Sequence, residues 1–191
     1  MKIVTVVGLF ALVLACGIQN AVAASVNIVA IGSSWTYGSG NDDSGAFNGV
    51  PRSLAYPRLL EKLLRAKGID AHVTNAGVRG NKASDVYARL NSDVPDGTQL
   101  VIVELAGRGI DPSNTPELEA KIVAALTARG IKGVGLDKYG TNGSTPMKDS
   151  PDLIDGFPGG HPNIRGQEVL AAHVLPKVLS ALRQKGPVMI P

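Results

Sequence analysis

The chain is poor in cysteine, in aromatic side chains and in clustered positive charge. Cys16 is the only cysteine among 191 residues, so a disulfide within the chain and a cysteine-based metal site are both excluded. Aromatic residues make up 4% of the sequence, and the formal net charge of +3 is scattered along it. A nucleic-acid partner is therefore not expected, because binding one requires a concentrated basic surface.

A long apolar run occurs only at the N-terminus, where residues 1–23 have the pattern of a signal peptide. Lys2 precedes an apolar stretch at 3–15, and Ala21-Val22-Ala23 has the A-x-A form of a cleavage site. The stretch is short for a membrane span. These features predict that 1–23 is removed and that 24–191 forms a single domain without a membrane span, secreted or in the periplasm.

The lone cysteine leaves one alternative open for the N-terminus. Val13-Leu14-Ala15-Cys16 loosely resembles a bacterial lipobox, so lipid attachment at Cys16 is a second way in which the chain could be processed. Cleavage after Ala23 would instead remove Cys16 and with it any thiol chemistry.

The mature chain alternates apolar runs with amphipathic segments. Strands are predicted at 26–31, 71–74, 100–105 and 131–136. Helices are predicted at 56–64, 84–90, 115–130 and 164–183, the last kinked or split at Pro176. Alternation at these spacings predicts an α/β fold: a three-layer α/β/α sandwich with a flavodoxin-like parallel sheet of four to five strands.

Glycine-rich turns follow three of these strands. They contain Gly32 to Ser34, Gly77 to Gly80 and Gly107 to Gly109, and a later loop carries Asp155 and His161. Because open α/β sheets bind ligands at the carboxyl ends of their strands, we expect these groups to meet at one edge. Serine, histidine and aspartate beside glycine amides are the components of an acyl-transfer site: a nucleophile, its base, a carboxylate that orients the base, and an oxyanion hole.

Neither metal nor cofactor chemistry is indicated. His72 lies in a predicted strand and His173 in the last predicted helix, and neither has a second ligand residue at a suitable spacing. Both are interpreted as structural residues, and the predicted reaction needs no metal and no organic cofactor.

The motifs resemble those of the SGNH (GDSL) hydrolases over about residues 26–183. Gly32-Ser33-Ser34-Trp35-Thr36-Tyr37-Gly38 resembles the first block, which makes Ser34 the nucleophile. Asn75-Ala76-Gly77-Val78-Arg79-Gly80 resembles the second block, in which Gly80 gives an oxyanion N–H. Val103-Glu104-Leu105-Ala106-Gly107 resembles the approach to the third block, and Asp155 with His161-Pro162-Asn163 resembles the fifth, which implies that Asp155 is the acid and His161 the base. The likeness is nearest to small bacterial arylesterases, lysophospholipases and thioesterases.

Three positions differ from the family pattern. Ser33 replaces the usual aspartate before the nucleophile. Arg108 stands where the family has the asparagine that donates to the oxyanion, so it is a candidate to stabilise the oxyanion or an acidic substrate group. Asp155 is six residues before His161, a wider separation than is usual, and Pro158 stands where the acid is expected. Asp152 is therefore kept as a second candidate for the acid.

Together with the predicted signal peptide, the resemblance implies an exported serine hydrolase that cleaves small-molecule esters or thioesters through an acyl-enzyme. Two alternatives use the same fold. One is a non-catalytic or weakly active binding protein whose cleft is adapted by Arg108 to an anionic ligand, and the other is a carbohydrate deacetylase.

Overall fold

The computed structural model describes residues 25–39, 49–105, 111–137, 151–154 and 160–190. The predicted signal peptide and Cys16 lie outside these residues. No helix within the described ranges combines the length and the apolar character that crossing a bilayer requires.

The described strands form one parallel sheet in the order β2-β1-β3-β4-β5. Their bounds are β1 Val26–Gly32, β2 Ala71–Gly77, β3 Leu100–Leu105, β4 Lys132–Asp137 and β5 Met189–Ile190. The four predicted strands are present, and β2 extends three residues beyond its predicted end at Thr74. The fifth strand follows the last helix and is only two residues long.

Helices cover both faces of the sheet. Their bounds are α1 Ser34–Tyr37, α2 Tyr56–Ala66, α3 Ala83–Ala88, α4 Leu90–Asp93, α5 Pro116–Ala128 and α6 Ile164–Arg183, with 3-10 turns at Arg52–Leu54 and Pro151–Leu153. The predicted helix at 84–90 is thus two short helices. The last helix, predicted to be kinked or split at Pro176, is not split, since α6 continues through that residue.

Side chains of the central strands alternate between two apolar cores. Ile28 and Ile102 pack with α2 and α6 on one face, whereas Val29 and Val101 pack with α3, α4 and α5 on the other. This alternation follows from the two-residue period of a strand, and burial of both faces explains why the strands are almost continuously apolar. The three-layer α/β/α prediction is confirmed.

Candidate active site

Ser34 and His161 form the centre of the site. Ser34 is the first residue of α1, directly beyond the carboxyl end of β1, and His161 lies just before α6. The Nε2 atom of His161 is 2.9 Å from the Oγ atom of Ser34. Both residues are partly exposed. This is the contact that a serine nucleophile requires with its general base.

Ser33 has a different environment. Its side chain is buried, and its hydroxyl donates a hydrogen bond to the Glu104 carboxylate over 2.8 Å. Adjacent serines therefore have separate roles, because one contacts the imidazole while the other is bonded into the protein interior.

Glu104 is a fully buried carboxylate beneath the turn that carries Ser34. Besides the Ser33 hydroxyl, it accepts hydrogen bonds from the Ser33 N–H at 2.7 Å, the Thr36 N–H at 3.2 Å and the Thr36 hydroxyl at 3.0 Å. An ionised carboxylate can accept all four, since it is purely an acceptor. Glu104 thus joins the end of β3 to both sides of Ser34.

Gly32 allows this close approach. A Cβ atom at position 32 would lie 2.6 Å from a carboxylate oxygen of Glu104 and 2.7 Å from its Cβ. Such distances are too short for carbon, so any larger residue would displace the buried carboxylate. The first glycine of the motif is therefore required by packing at the base of the turn.

A second network holds α1 from the side of α2 and α6. The Thr36 hydroxyl has one proton and donates it to Glu104. The 3.3 Å hydrogen bond between Thr36 and Tyr56 is therefore donated by the Tyr56 hydroxyl. Burial raises the pKa of the Tyr56 phenol and the Glu104 charge raises it further, which outweighs the lowering by Thr36, so the donor proton is retained. Gln167 on α6, also buried, accepts from the Tyr56 N–H at 2.8 Å and donates to the Trp35 carbonyl at 3.4 Å.

The segment that carries His161 is anchored at both ends. The Trp35 indole N–H donates to the Gly160 carbonyl over 3.2 Å, and Ile154 forms an isolated antiparallel bridge with Pro162. Asn163 caps α6 through a 2.9 Å bond from the Gly166 N–H. These contacts restrict the position of the imidazole relative to α1.

The second glycine-rich turn packs directly against α1. The Val78 N–H donates to the Gly32 carbonyl at 3.0 Å, and a Cβ on Gly77 would collide with the Tyr37 backbone nitrogen. Gly80 follows with a φ of 75°, in the left-handed region that glycine tolerates best. It is exposed in the turn beside α1. Its role as an oxyanion donor stays a prediction.

Two of the predicted site residues, Asp155 and Arg108, lie outside the described residues, as does Gly107. The second candidate acid, Asp152, is described. Its carboxylate is 3.4 Å from Arg165 and 60% exposed. An exposed carboxylate paired with an arginine is poorly suited to orient a catalytic imidazole.

Two cationic side chains converge on Tyr37, at the other end of α1 from Ser34. The guanidinium carbon of Arg52 is 4.4 Å from the centre of the Tyr37 ring, and that of Arg79 is 4.8 Å from it. Both separations are typical of cation–π contacts. Two positive charges therefore lie against the last residue of α1.

Solved structures with the same architecture are esterases and lipolytic proteins. AlinE4, described as an SGNH-hydrolase family esterase, is 27% identical to this chain and superposes on it with a TM-score of 0.57. The match covers 84% of this chain and 98% of AlinE4. TesA shares 22% identity and a TM-score of 0.61, covering 81% and 99%. The fold is that of the SGNH hydrolases.

A third structure with the SGNH hydrolase fold is more distant in sequence. The psychrotrophic esterase EstA from Pseudoalteromonas sp. has 14% identity and a TM-score of 0.61, covering 83% of this chain and 99% of its own. No protein-family model matches the sequence, and no curated protein does so either. Similarity to the SGNH hydrolases is thus far clearer in three dimensions than in sequence.

Sequence reasoning gave no role to Glu104, Trp35 or Gln167. A signal was present for Glu104, because it is the only charged residue in the apolar strand Leu100–Leu105. Such a residue is rarely buried unless polar groups bind it. Trp35 and Gln167 carry no comparable signal, since their partners are backbone atoms distant in sequence.

Proposed function

We propose that this chain is an exported carboxylic ester hydrolase that acts on small esters or thioesters through an acyl-enzyme. The observation that carries the proposal is the 2.9 Å contact between Ser34 and His161. It is supported by the position of Ser34 at the carboxyl end of β1 and by the esterases that share the fold.

In the first half-reaction, His161 Nε2 takes the proton of the Ser34 hydroxyl as its oxygen attacks the substrate carbonyl. The resulting oxyanion accepts hydrogen bonds from the N–H groups of Ser34 and Gly80. The Ser34 amide is suited to this role, because the first amides of a helix have no acceptor within it. Protonated His161 then donates its proton to the departing alcohol or thiol, which leaves an ester on Ser34.

In the second half-reaction, His161 removes a proton from water as the water attacks the acyl-enzyme carbonyl. Collapse of the second tetrahedral intermediate releases the carboxylic acid, and His161 returns the proton to the Ser34 oxygen. Asp155 is proposed to hold the imidazole in the tautomer that leaves Nε2 free to accept. The 2.9 Å contact between Ser34 and His161 supports the roles proposed for these two residues.

The test is a burst of chromophore release from a short-chain aryl ester by the purified mature protein. Ser34→Ala should lower the rate by at least about 10³-fold, because loss of one triad member has effects of that size. An active-site phosphonate should label Ser34, and the Ser33→Ala variant should carry the label at the same residue whatever its labelling rate. Labelling at Ser33, or no labelling and no ester cleavage, would contradict the proposal.

A binding protein for an anionic ligand is the second candidate, favoured by Arg52 and Arg79 on Tyr37. If the chain is such a binding protein, it should give no burst and take no phosphonate label. It should bind an aryl carboxylate, and the Arg52→Gln variant should bind that ligand more weakly. A carbohydrate deacetylase would instead show the label and a preference for acetylated sugars over aryl acetates.

Export is proposed from the N-terminal sequence. The intact mass of the exported protein should correspond to a chain that begins near Ala24. A diacylglyceryl adduct on Cys16 would show lipid anchoring instead.

A further inference from the structure

Glu104 binds the chain on both sides of the proposed nucleophile. Its carboxylate accepts from at least four donors, two of them on Ser33 and two on Thr36, and the side chain is fully buried. We propose that Glu104 is a positioning residue that holds the Ser34 hydroxyl in line with His161, an inference that rests on the proposed function. It acts through the backbone of the turn and does not touch the substrate.

The need for an anchor follows from the length of α1. This helix has four residues, and a helix so short is unstable by itself because few hydrogen bonds offset the cost of ordering it. Ser34 is the first of the four, so any tilt of α1 moves its hydroxyl away from the imidazole. Glu104 is fixed in turn by the centre of the sheet, since β3 pairs with both β1 and β4.

The distribution of donors over the two oxygens makes a specific variant informative. One oxygen accepts from the Ser33 N–H, the Thr36 N–H and the Thr36 hydroxyl, and the other accepts from the Ser33 hydroxyl. Glutamine can place its carbonyl oxygen at the first position and its amide at the second, where the Ser33 hydroxyl can rotate to accept. Glu104→Gln therefore preserves the anchor without the charge, whereas Glu104→Met fills the space and removes the acceptor.

Glu61 provides a matched control. It is also a buried carboxylate, 1% exposed, that accepts a backbone hydrogen bond, from the Val73 N–H at 2.9 Å. It lies on α2 and pairs with Arg58 and Arg65, so its loss should affect folding without affecting the nucleophile turn.

The experiment compares Glu104→Met, Glu104→Gln and Glu61→Met by steady-state kinetics on an aryl ester, at a temperature where circular dichroism shows each to be folded. We expect Glu104→Met to lower kcat by at least about 10²-fold with KM nearly unchanged, because a displacement of about 1 Å can have that effect. Glu104→Gln should recover most of this loss. Glu61→Met should lower Tm while leaving kcat within about twofold of wild type, or about 0.4 kcal/mol.

Two further readouts apply if Glu104→Met does not fold. Thr36→Val and Ser33→Ala each remove one hydroxyl donor while the carboxylate stays, and each should lower kcat with little change in KM. The rate of phosphonate labelling of Ser34 should fall in parallel with kcat.

The proposal is overturned if the wild type is active and Glu104→Met, or the Ser33→Ala/Thr36→Val double variant, keeps kcat within about threefold, roughly 0.65 kcal/mol. It is also overturned if Glu104→Met and Glu61→Met lose activity only in proportion to their unfolded fractions. A wild-type protein that cleaves no ester and takes no phosphonate overturns the proposed function itself, which is a distinct result.

Discussion

The indole N–H of Trp35 donates a 3.2 Å hydrogen bond to the carbonyl oxygen of Gly160. Trp35 follows Ser34 in the chain and Gly160 precedes His161, so this bond couples the two segments whose separation sets the distance between the Ser34 hydroxyl and the His161 imidazole. It spans 125 residues of sequence. The pair Ser34–His161 is therefore supported by a second, parallel contact between its neighbours.

Trp35→Phe should lower kcat by about tenfold, or 1.4 kcal/mol of transition-state energy, while KM changes little. Phenylalanine keeps much of the buried ring but cannot donate, so the Gly160 carbonyl loses its partner and the His161 segment gains freedom. Kinetics on an aryl ester measure the effect, with the exposed aromatic Tyr87 changed to Phe as the control. An unchanged kcat would show that the other anchors of the segment suffice.

Asp155→Asn should lower the rate by orders of magnitude and leave folding intact, since the carboxylate is proposed to orient His161. Asp152→Asn is the matched control, because Asp152 is exposed and paired with Arg165. Rates of both variants on the same ester measure the difference. A loss below about tenfold in Asp155→Asn, roughly 1.4 kcal/mol, would reassign Asp155 to loop structure.

Arg108→Asn should raise activity on neutral aryl esters and lower it on esters whose acyl group bears a carboxylate. Arginine is longer than asparagine and permanently charged, so it fits an acidic substrate group better than the position of an oxyanion donor. The two esters carry the same leaving group and differ only in the charge of the acyl group, so each serves as the control for the other. Rates that both stay within about twofold, about 0.4 kcal/mol, would exclude Arg108 from the chemistry.

Stability should decrease in acid through Glu61 and Asp111. Burial alone would raise both pKa values, but hydrogen bonds from Val73 to Glu61 and from Ala83 and Ser113 to Asp111, with nearby cations, hold each pKa below its ordinary value of 4.5 or 3.8. A carboxylate whose folded pKa is lowered stabilises the protein above its unfolded pKa, and this contribution is lost as pH falls through the folded pKa.

Urea unfolding across the acid range measures this dependence. Wild type should lose stability as the pH falls below about 5, and Glu61→Gln and Asp111→Asn should each show a shallower decline than wild type. If the free energy of unfolding falls with the same slope in wild type and both variants, the acid sensitivity does not come from Glu61 and Asp111.

The sequence by itself determined the fold class and pointed to Ser34 and His161 as the proposed nucleophile and base. Apolar runs such as Leu100–Leu105 define buried strands through local periodicity, and the turn residues beyond β1 place Ser34 at the functional edge of any parallel sheet. The SGNH resemblance and the three-layer prediction are both confirmed, because each rests on patterns contained within short segments.

Only the tertiary structure decided how the site is held together. The bonds from Glu104 to Ser33 and Thr36, from Trp35 to Gly160 and from Gln167 to Tyr56 join residues at least 68 positions apart. Each of these four pairs is joined by a bond in which one atom belongs to the backbone, so the sequence can indicate that Glu104 needs polar partners but not which residues supply them. Their geometry depends on the packing of β3 and α6 around a four-residue helix, and packing of that kind is a property of the folded chain as a whole.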